Sequence, residues 1–249
     1  MEKMKYSVNI NGIDVDAIYS ERNIKDIFLP FLRKLVSLQK EKGSRILVML
    51  AAPPGAGKST LLSFLEYLSK EEGLCEIETI GIDGFHHRQE YLLSHSTKID
   101  NKEISLVEIK GSPITFDLEK LRMAIHRIAE GEDCTWPMYD LLLHNTFEDA
   151  IYVNGDIVLL EGNYLLLDEE GWRDLHQFAD YTVKIIAEEA FLRDRLINRR
   201  IETGVSKEEA MRFVDYSDMA NVRLCLQKSL KADMELYLNP NGEYSIVEE

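Results

Sequence analysis

The stretch Ala52-Pro53-Pro54-Gly55-Ala56-Gly57-Lys58-Ser59-Thr60 decides how this chain folds, because of what stands on either side of it. Before it runs RILVMLA, residues 45–51, a short unbroken apolar run of the kind expected for a parallel strand buried on both faces. After it, Leu61–Leu68 has the spacing of a helix. A glycine-rich turn between strand and helix lets successive backbone N–H groups converge on phosphate oxygens, with the helix N-terminus adding partial positive charge. This is the P-loop form G-x-x-x-x-G-K-[ST], in which Lys58 bridges the β- and γ-phosphates of ATP and Ser59 ligates Mg2+. The first glycine of that form is Ala52 here, which costs little where the backbone keeps an ordinary conformation. Pro54, Gly55, Ala56, Gly57, Lys58, Ser59 and Thr60 are the expected ATP-binding residues.

Outward from this loop the chain alternates strands and helices. Further strands are expected at 76–82, 156–160 and 181–186, and helices at 60–72, 117–130 and 189–202. That alternation implies an α/β P-loop NTPase fold, a doubly wound, mainly parallel sheet flanked by helices. Residues 6–19 alternate apolar and polar around Asn11-Gly12, the pattern of a small N-terminal β-hairpin. Residues 24–42 form an amphipathic helix with Gly43 as its stop, and the tail from Ala232 reads as strand, turn at 239–242, strand. One domain over 1–249 is expected, with 1–44 packed on it and a helical lid at about 189–215.

Composition narrows the function. Hydrophobic residues make up 45% and charged residues 29% of the 249, enough for a sizeable core. A net charge of −15 argues against nucleic acid, and the one compact basic cluster, Arg193, Arg195, Arg199 and Arg200, suits a few phosphates better than a duplex. Cys75, Cys134 and Cys225 lack metal-site spacing and read as thiols in a reducing compartment. No apolar run is long enough to span or target a membrane, so a cytoplasmic enzyme is expected, with a homodimer left open.

Three further segments carry chemistry. Asp83, in IDGFHH at 82–87, is expected at a strand's carboxyl end, where open α/β sheets bind ligands. A carboxylate there can orient an acceptor hydroxyl and take its proton, although an Asp-Gly pair by itself is a turn signal. Glu161 ends the apolar strand IVLLEGN at 157–163, where it can hold Mg2+ directly or through water. Arg195 and Arg199 lie four apart on one helix face and can close over phosphates, while Arg193 and Arg200 point elsewhere. A solvated helix paired with Asp194, Glu188 and Glu189 is the plainer alternative. His86, His87, Tyr139, His144 and Asn163 are the polar groups expected around a polyhydroxylated acceptor, and Phe85, Phe116 and Trp136 read equally well as core.

In order along the chain, APPGAGKST, IDGFHH, KGSPITFD, WPMYD, LLEGNYLLL, DRLINRR and SDMAN resemble the phosphoribulokinase, uridine kinase and pantothenate kinase family of P-loop kinases. Within it the chain is most similar to YggC-like proteins and fructose transport system kinases. The resemblance implies ATP-dependent phosphorylation of a small-molecule hydroxyl, with Asp83 as catalytic aspartate. Lys58 and Ser59 match its phosphate and magnesium ligands, and Arg195 and Arg199, the latter counted as catalytic with Lys58, its lid arginines. It also implies that residues 110–117 flank the acceptor and that Pro137–Asp140 face it. Leu141 stands where some members carry arginine and Ser217 where asparagine is frequent. Leu141 cannot bind an anion, which makes a neutral sugar or polyol more attractive than an acid. The competing reading is a non-catalytic nucleotide sensor or regulatory ATPase with a protein partner.

Overall fold

The structure is a computed structural model that describes residues 3–10, 13–140 and 145–248. Its centre is β3 (Ile46–Ala51), buried along its whole length. Period-2 alternation splits this strand between two cores: Ile46, Val48 and Leu50 face one, while Leu47, Met49 and Ala51 face the other. Around it lie β4 (Glu78–Gly81), β9 (Ile157–Gly162), β10 (Tyr181–Ala187), β11 (Met234–Leu238) and β12 (Tyr244–Ile246), in the spatial order β12-β11-β10-β3-β9-β4. All neighbours are parallel except β12, which returns antiparallel to β11. The expected parallel sheet is therefore present with an antiparallel edge.

Helices cover both faces. On one side α1 (Leu29–Lys42) and α2 (Lys58–Glu71) pack with Leu192, Leu196 and Ile197 of α5 (Glu189–Glu202). On the other, α4 (Leu118–Ala129) buries Leu121, Ile125 and Ile128 against Trp136, Tyr164 and Trp172. Gly43 ends α1 in the left-handed conformation, as its position suggested. The expected helix over 24–42 begins earlier, where the Ser20 hydroxyl caps the Asn23 N–H, and widens into a π-turn at Ile24–Phe28. Pro30 offers no N–H to close an ordinary turn there.

The N-terminal hairpin is formed by β1 (Lys3–Ile10) and β2 (Ile13–Ser20); its Asn11-Gly12 turn lies outside the described residues. It is riveted to α2 by aromatic rings. Tyr19 stacks on Phe64 at 4.0 Å, and Tyr6 meets Phe64 and Tyr67 at 5.3 Å each. The Tyr6 hydroxyl adds a 2.8 Å hydrogen bond with Ser63 Oγ.

Elements without a strong sequence signal fill the rest. A short helix α3 (Gln89–Ser94) leads into the hairpin β5 (Ser96–Ile99) and β6 (Lys102–Ser105), and α6 (Lys207–Phe213) and α7 (Met219–Lys228) follow α5. An antiparallel pair, β7 (Cys134–Asp140) and β8 (Asn145–Val153), has no plain strand signal because Pro137 interrupts it; the register slips between Trp136 and Met138. Phe85, Phe116 and Trp136 are core residues, 2%, 4% and 0% exposed. Among the described residues no helix is long and apolar enough to cross a membrane.

Phe64 joins the hairpin to the central layer. Phe64→Ala should cost about 3–5 kcal/mol, read as a lowered urea midpoint at unchanged slope. Amide exchange in β1 and β2 should quicken more than in β3.

Candidate active site

The P-loop leaves β3 at Ala51 and enters α2 at Lys58. Ala52 is buried and takes no left-handed conformation, so its side chain is tolerated where the motif has glycine. Gly57 does require its freedom: its φ is +83°, and an added Cβ would lie 3.1 Å from Arg195 Nη2. That contact sets the Arg195 guanidinium over the loop. Gly55 packs equally closely on Leu192 and Leu196, so α5 is seated directly on the P-loop.

The side chains that follow the loop are paired. Lys58 Nζ donates to Asn163 Oδ1 at 2.5 Å, and Ser59 Oγ donates to Glu161 Oε1 at 2.5 Å. Asn163, expected near the acceptor, is thus turned toward Lys58. The expected strand 156–160 runs on to Gly162, which carries Glu161 into a buried position beside β4 and the P-loop. Burial pushes the Glu161 carboxyl up, the nearby Asp83 charge adds to the rise, and Lys58 and Ser59 partly oppose it. One buried carboxylate beside one hydroxyl fits Mg2+, which keeps several waters and takes its other oxygens from phosphates. No cluster of three or more acids, histidines or cysteines among the described residues offers a full protein cage.

Asp83 follows the carboxyl end of its strand, as expected. The expected strand 76–82 is shorter, Glu78–Gly81, and Asp83 lies in the 3-10 turn Ile82–Phe85 that follows. Gly84 decides this, since a Cβ there would sit 2.1 Å from the Pro137 carbonyl oxygen; the turn can press on β7 only without a side chain. Trp136 Nε1 donates to the Gly81 carbonyl at 2.8 Å and holds the strand end from the other side. The carboxylate stays exposed, and a cavity of about 200 Å3 is lined jointly by Asp83, Ser59, Glu161, Tyr139 and the hairpin residues Asn9 and Ile10. Participation of the hairpin in this cavity had no signal in the sequence.

The expected acceptor residues divide. His86 Nδ1 lies 2.9 Å from the Asp83 carbonyl oxygen, its ring is 3.8 Å from Phe116 and 5.5 Å from Tyr139, and burial lowers its pKa. Tyr139 is pushed up to about 12, chiefly by burial. His87 instead stacks on Tyr91 at 4.2 Å, which stacks on His95 at 3.7 Å, along α3. His144 and Leu141 lie outside the described residues. Lys110 opens the segment 110–117 expected to flank the acceptor; its ammonium is 4.8 Å from the Tyr139 ring centre and donates to Gln89 at 3.0 Å.

The four arginines of α5 separate as their spacing predicts. Arg193 makes a two-pronged ion pair with Asp215 at 2.6 and 2.8 Å, and Arg200 binds Asp218 at 3.0 Å while lying 3.7 Å over Phe213. Arg195 faces the P-loop, and Arg199, one turn on, is exposed and makes no ion pair among the described residues. Of the acids in the solvated-helix alternative, Asp194 pairs with Arg193 at 4.0 Å, while Arg195 is exposed and lies 5.4 Å over the Phe191 ring.

No family model matches the chain. It is 38% identical over 243 residues to the uncharacterized protein YggC of Escherichia coli (strain K12), covering 97% of this chain and 98% of that protein. It is 31% identical over 211 residues to a putative uridine kinase of Schizosaccharomyces pombe (strain 972), covering 82% and 87%. Among solved structures, a putative fructose transport system kinase from Silicibacter sp. TM1040 superposes with a TM-score of 0.69 at 29% identity, over 81% of this chain and 98% of that one. With strand order, P-loop and ordered motifs in agreement, the chain belongs to the phosphoribulokinase and uridine kinase family of P-loop kinases, and is an ATP-dependent small-molecule kinase with a hydroxyl acceptor.

Proposed function

We propose that Asp83 is the base of this kinase and that the P-loop, Glu161 and α5 handle Mg·ATP. The observation that carries this is the shared cavity of Asp83, Ser59 and Glu161, which would bring an acceptor hydroxyl and a metal-bound γ-phosphate together. A bond forms between the acceptor oxygen and the γ-phosphorus, the bond from phosphorus to the ADP oxygen breaks, and the hydroxyl proton passes to the Asp83 carboxylate. Pro54 to Thr60 cradle the phosphates through backbone N–H groups at the start of α2. Lys58, oriented by Asn163, and Arg195 and Arg199 offset the charge carried by the transferring group. Ser59 and Glu161 would hold Mg2+, which when bound neutralises charge on the β- and γ-phosphate oxygens.

His86 and Tyr139 stand nearest the acceptor hydroxyl in this reading, with His87 at the rim. Kinase relatives argue against a sensor without an acceptor. The buried Cys134 and Cys225 thiols, the latter pushed up to about 12 by burial, suit a reducing cytoplasm.

Asp83→Asn should still fold and take up Mg·ATP by calorimetry while phosphoryl transfer slows by about 10²–10⁴-fold; an undiminished rate would remove Asp83 from the role of base. Lys58→Ala should lose activity and most nucleotide affinity together. Glu161 has a distinct signature in pH. Its folded pKa is raised above the ordinary 4.5, so its contribution to stability is whole below that value and is lost as pH rises through the folded pKa. Glu161→Gln should therefore raise the melting temperature of the nucleotide-free protein at about pH 7, with the gain vanishing in acid, while Mg-dependent ATP uptake weakens. A variant that melts lower than the parent at about pH 7 contradicts a carboxylate held against its own burial.

A further inference from the structure

We propose that the end of the N-terminal hairpin is a wall of the acceptor site, with Ile10 as the side chain that limits how far an acceptor can extend from the hydroxyl held at Asp83. This rests on the kinase reading above and adds a specificity-determining residue to it.

The cavity of Asp83 and Glu161 does not stop at the strand ends. It continues along β4, past Thr79 and Gly81, and reaches Ser63 of α2 and Ile151 of β8. β4 is the last strand on its side of the sheet, and among the described residues its outer edge bonds to no other strand. Such an edge needs a cover from elsewhere in the chain. Asn9 and Ile10 belong to the wall of this cavity, although the hairpin is a sheet of its own, bonded to none of the six central strands.

Period-2 alternation puts Tyr6, Val8 and Ile10 on the half-buried face of β1, with Ser7 and Asn9 exposed between them. Tyr6 is the fixed end of that face, held by the Phe64 and Tyr67 rings and by Ser63. Ile10 lies four residues on, about 13 Å along an extended strand. The ladder pairs Asn9 with Asp14 and Ile10 with Ile13, and Asn9 Nδ2 donates to Asp14 Oδ1 at 2.7 Å, so the register is set up to this point. Tyr6 and Tyr19 pack in the core beside α2, whereas Ile10, half-buried, packs in none of the hydrophobic clusters of the described residues. Covering α2 accounts for the two tyrosines and leaves Ile10 without a reason. The cavity supplies one.

The hydroxyls on this side already hold partners, Ser63 with Tyr6 at 2.8 Å and Thr79 with Glu66 at 2.9 Å. Ile10, Leu62 and Ile151 add apolar surface. This end of the cavity therefore selects by shape, while the polar selection stays at Asp83. Where shape selects, the volume of one side chain counts: a methylene gained or lost in an apolar pocket changes discrimination by roughly 10–200-fold.

The test measures ADP release with Mg·ATP and a ladder of hydroxy compounds of increasing size: glycerol, glycerate, ribose, fructose, pantothenate and uridine. For the compound that the wild-type chain uses best, Ile10→Phe should raise KM about tenfold or more, and Ile10→Ala should raise kcat/KM about tenfold for the larger members relative to the smaller. Ile18→Ala, on the exposed face of β2, should change neither. Calorimetric Mg·ATP affinity should be the same in all three. The ratio between two acceptors does not depend on how much of a variant is folded, so a hairpin that only stabilised the protein would leave that ratio unmoved. A KM indifferent to Ile10→Phe, a ratio indifferent to Ile10→Ala, or a parallel fall in Mg·ATP affinity overturns the wall and leaves the kinase standing. Turnover of no member by a chain that takes up Mg·ATP also overturns it, while failure of the wild-type chain to take up Mg·ATP strikes the kinase reading itself.

Discussion

A carboxylate kept out of water beside a hydroxyl and a lysine is the constraint around which this molecule is arranged. Glu161 ends a strand that is buried on both faces, so its charge has no solvent to spread into. Its surroundings answer that cost only in part: Ser59 gives one hydrogen bond, Lys58 gives charge at a distance while its own bond goes to Asn163, and Asp83 adds more negative potential. An apo protein that carries such a group is less stable than it could be. The imbalance has the right sign for a site completed by a divalent cation and phosphates, and it concentrates the ligand's binding energy where charge develops during transfer.

Rigid packing makes the arrangement dependable. Gly84 against the Pro137 carbonyl and Trp136 against the Gly81 carbonyl hold the Asp83 turn from two directions. The P-loop is held from above by α5, whose Leu192 and Leu196 press on Gly55. The arginines it carries are sorted by partner, with Arg193 and Arg200 tied to Asp215 and Asp218 of the π-turn Val214–Asp218 and Arg195 directed to the loop.

The strongly acidic chain nonetheless presents cations where the chemistry needs them. Lys58 and Arg195 stand at the P-loop, and Lys110 lies beside Tyr139. Against a net charge of −15, such local placement favours small anionic ligands that can enter a cleft and disfavours long polyanions that must lie along the surface. The N-terminal hairpin takes part as well, since its residues Asn9 and Ile10 complete the wall of the cavity that holds Asp83.

Much of this was legible along the chain. Central strands, the P-loop and its helix, Glu161 at a strand end and the i, i+4 pair of arginines are local patterns, and local patterns reflect backbone geometry and period. What could not be read was anything that depends on two distant segments meeting: the Pro137-interrupted strand β7, the turn that carries Asp83, the hairpin wall, the pairing of Asn163 with Lys58, and the meeting of Asn221 with Gly111. The sequence by itself determined which residues could bind phosphate, hold a metal or take a proton, since those capacities belong to residue types and their spacing. Only the tertiary structure decided which of them share a cavity, because burial and close approach are properties of segments brought together.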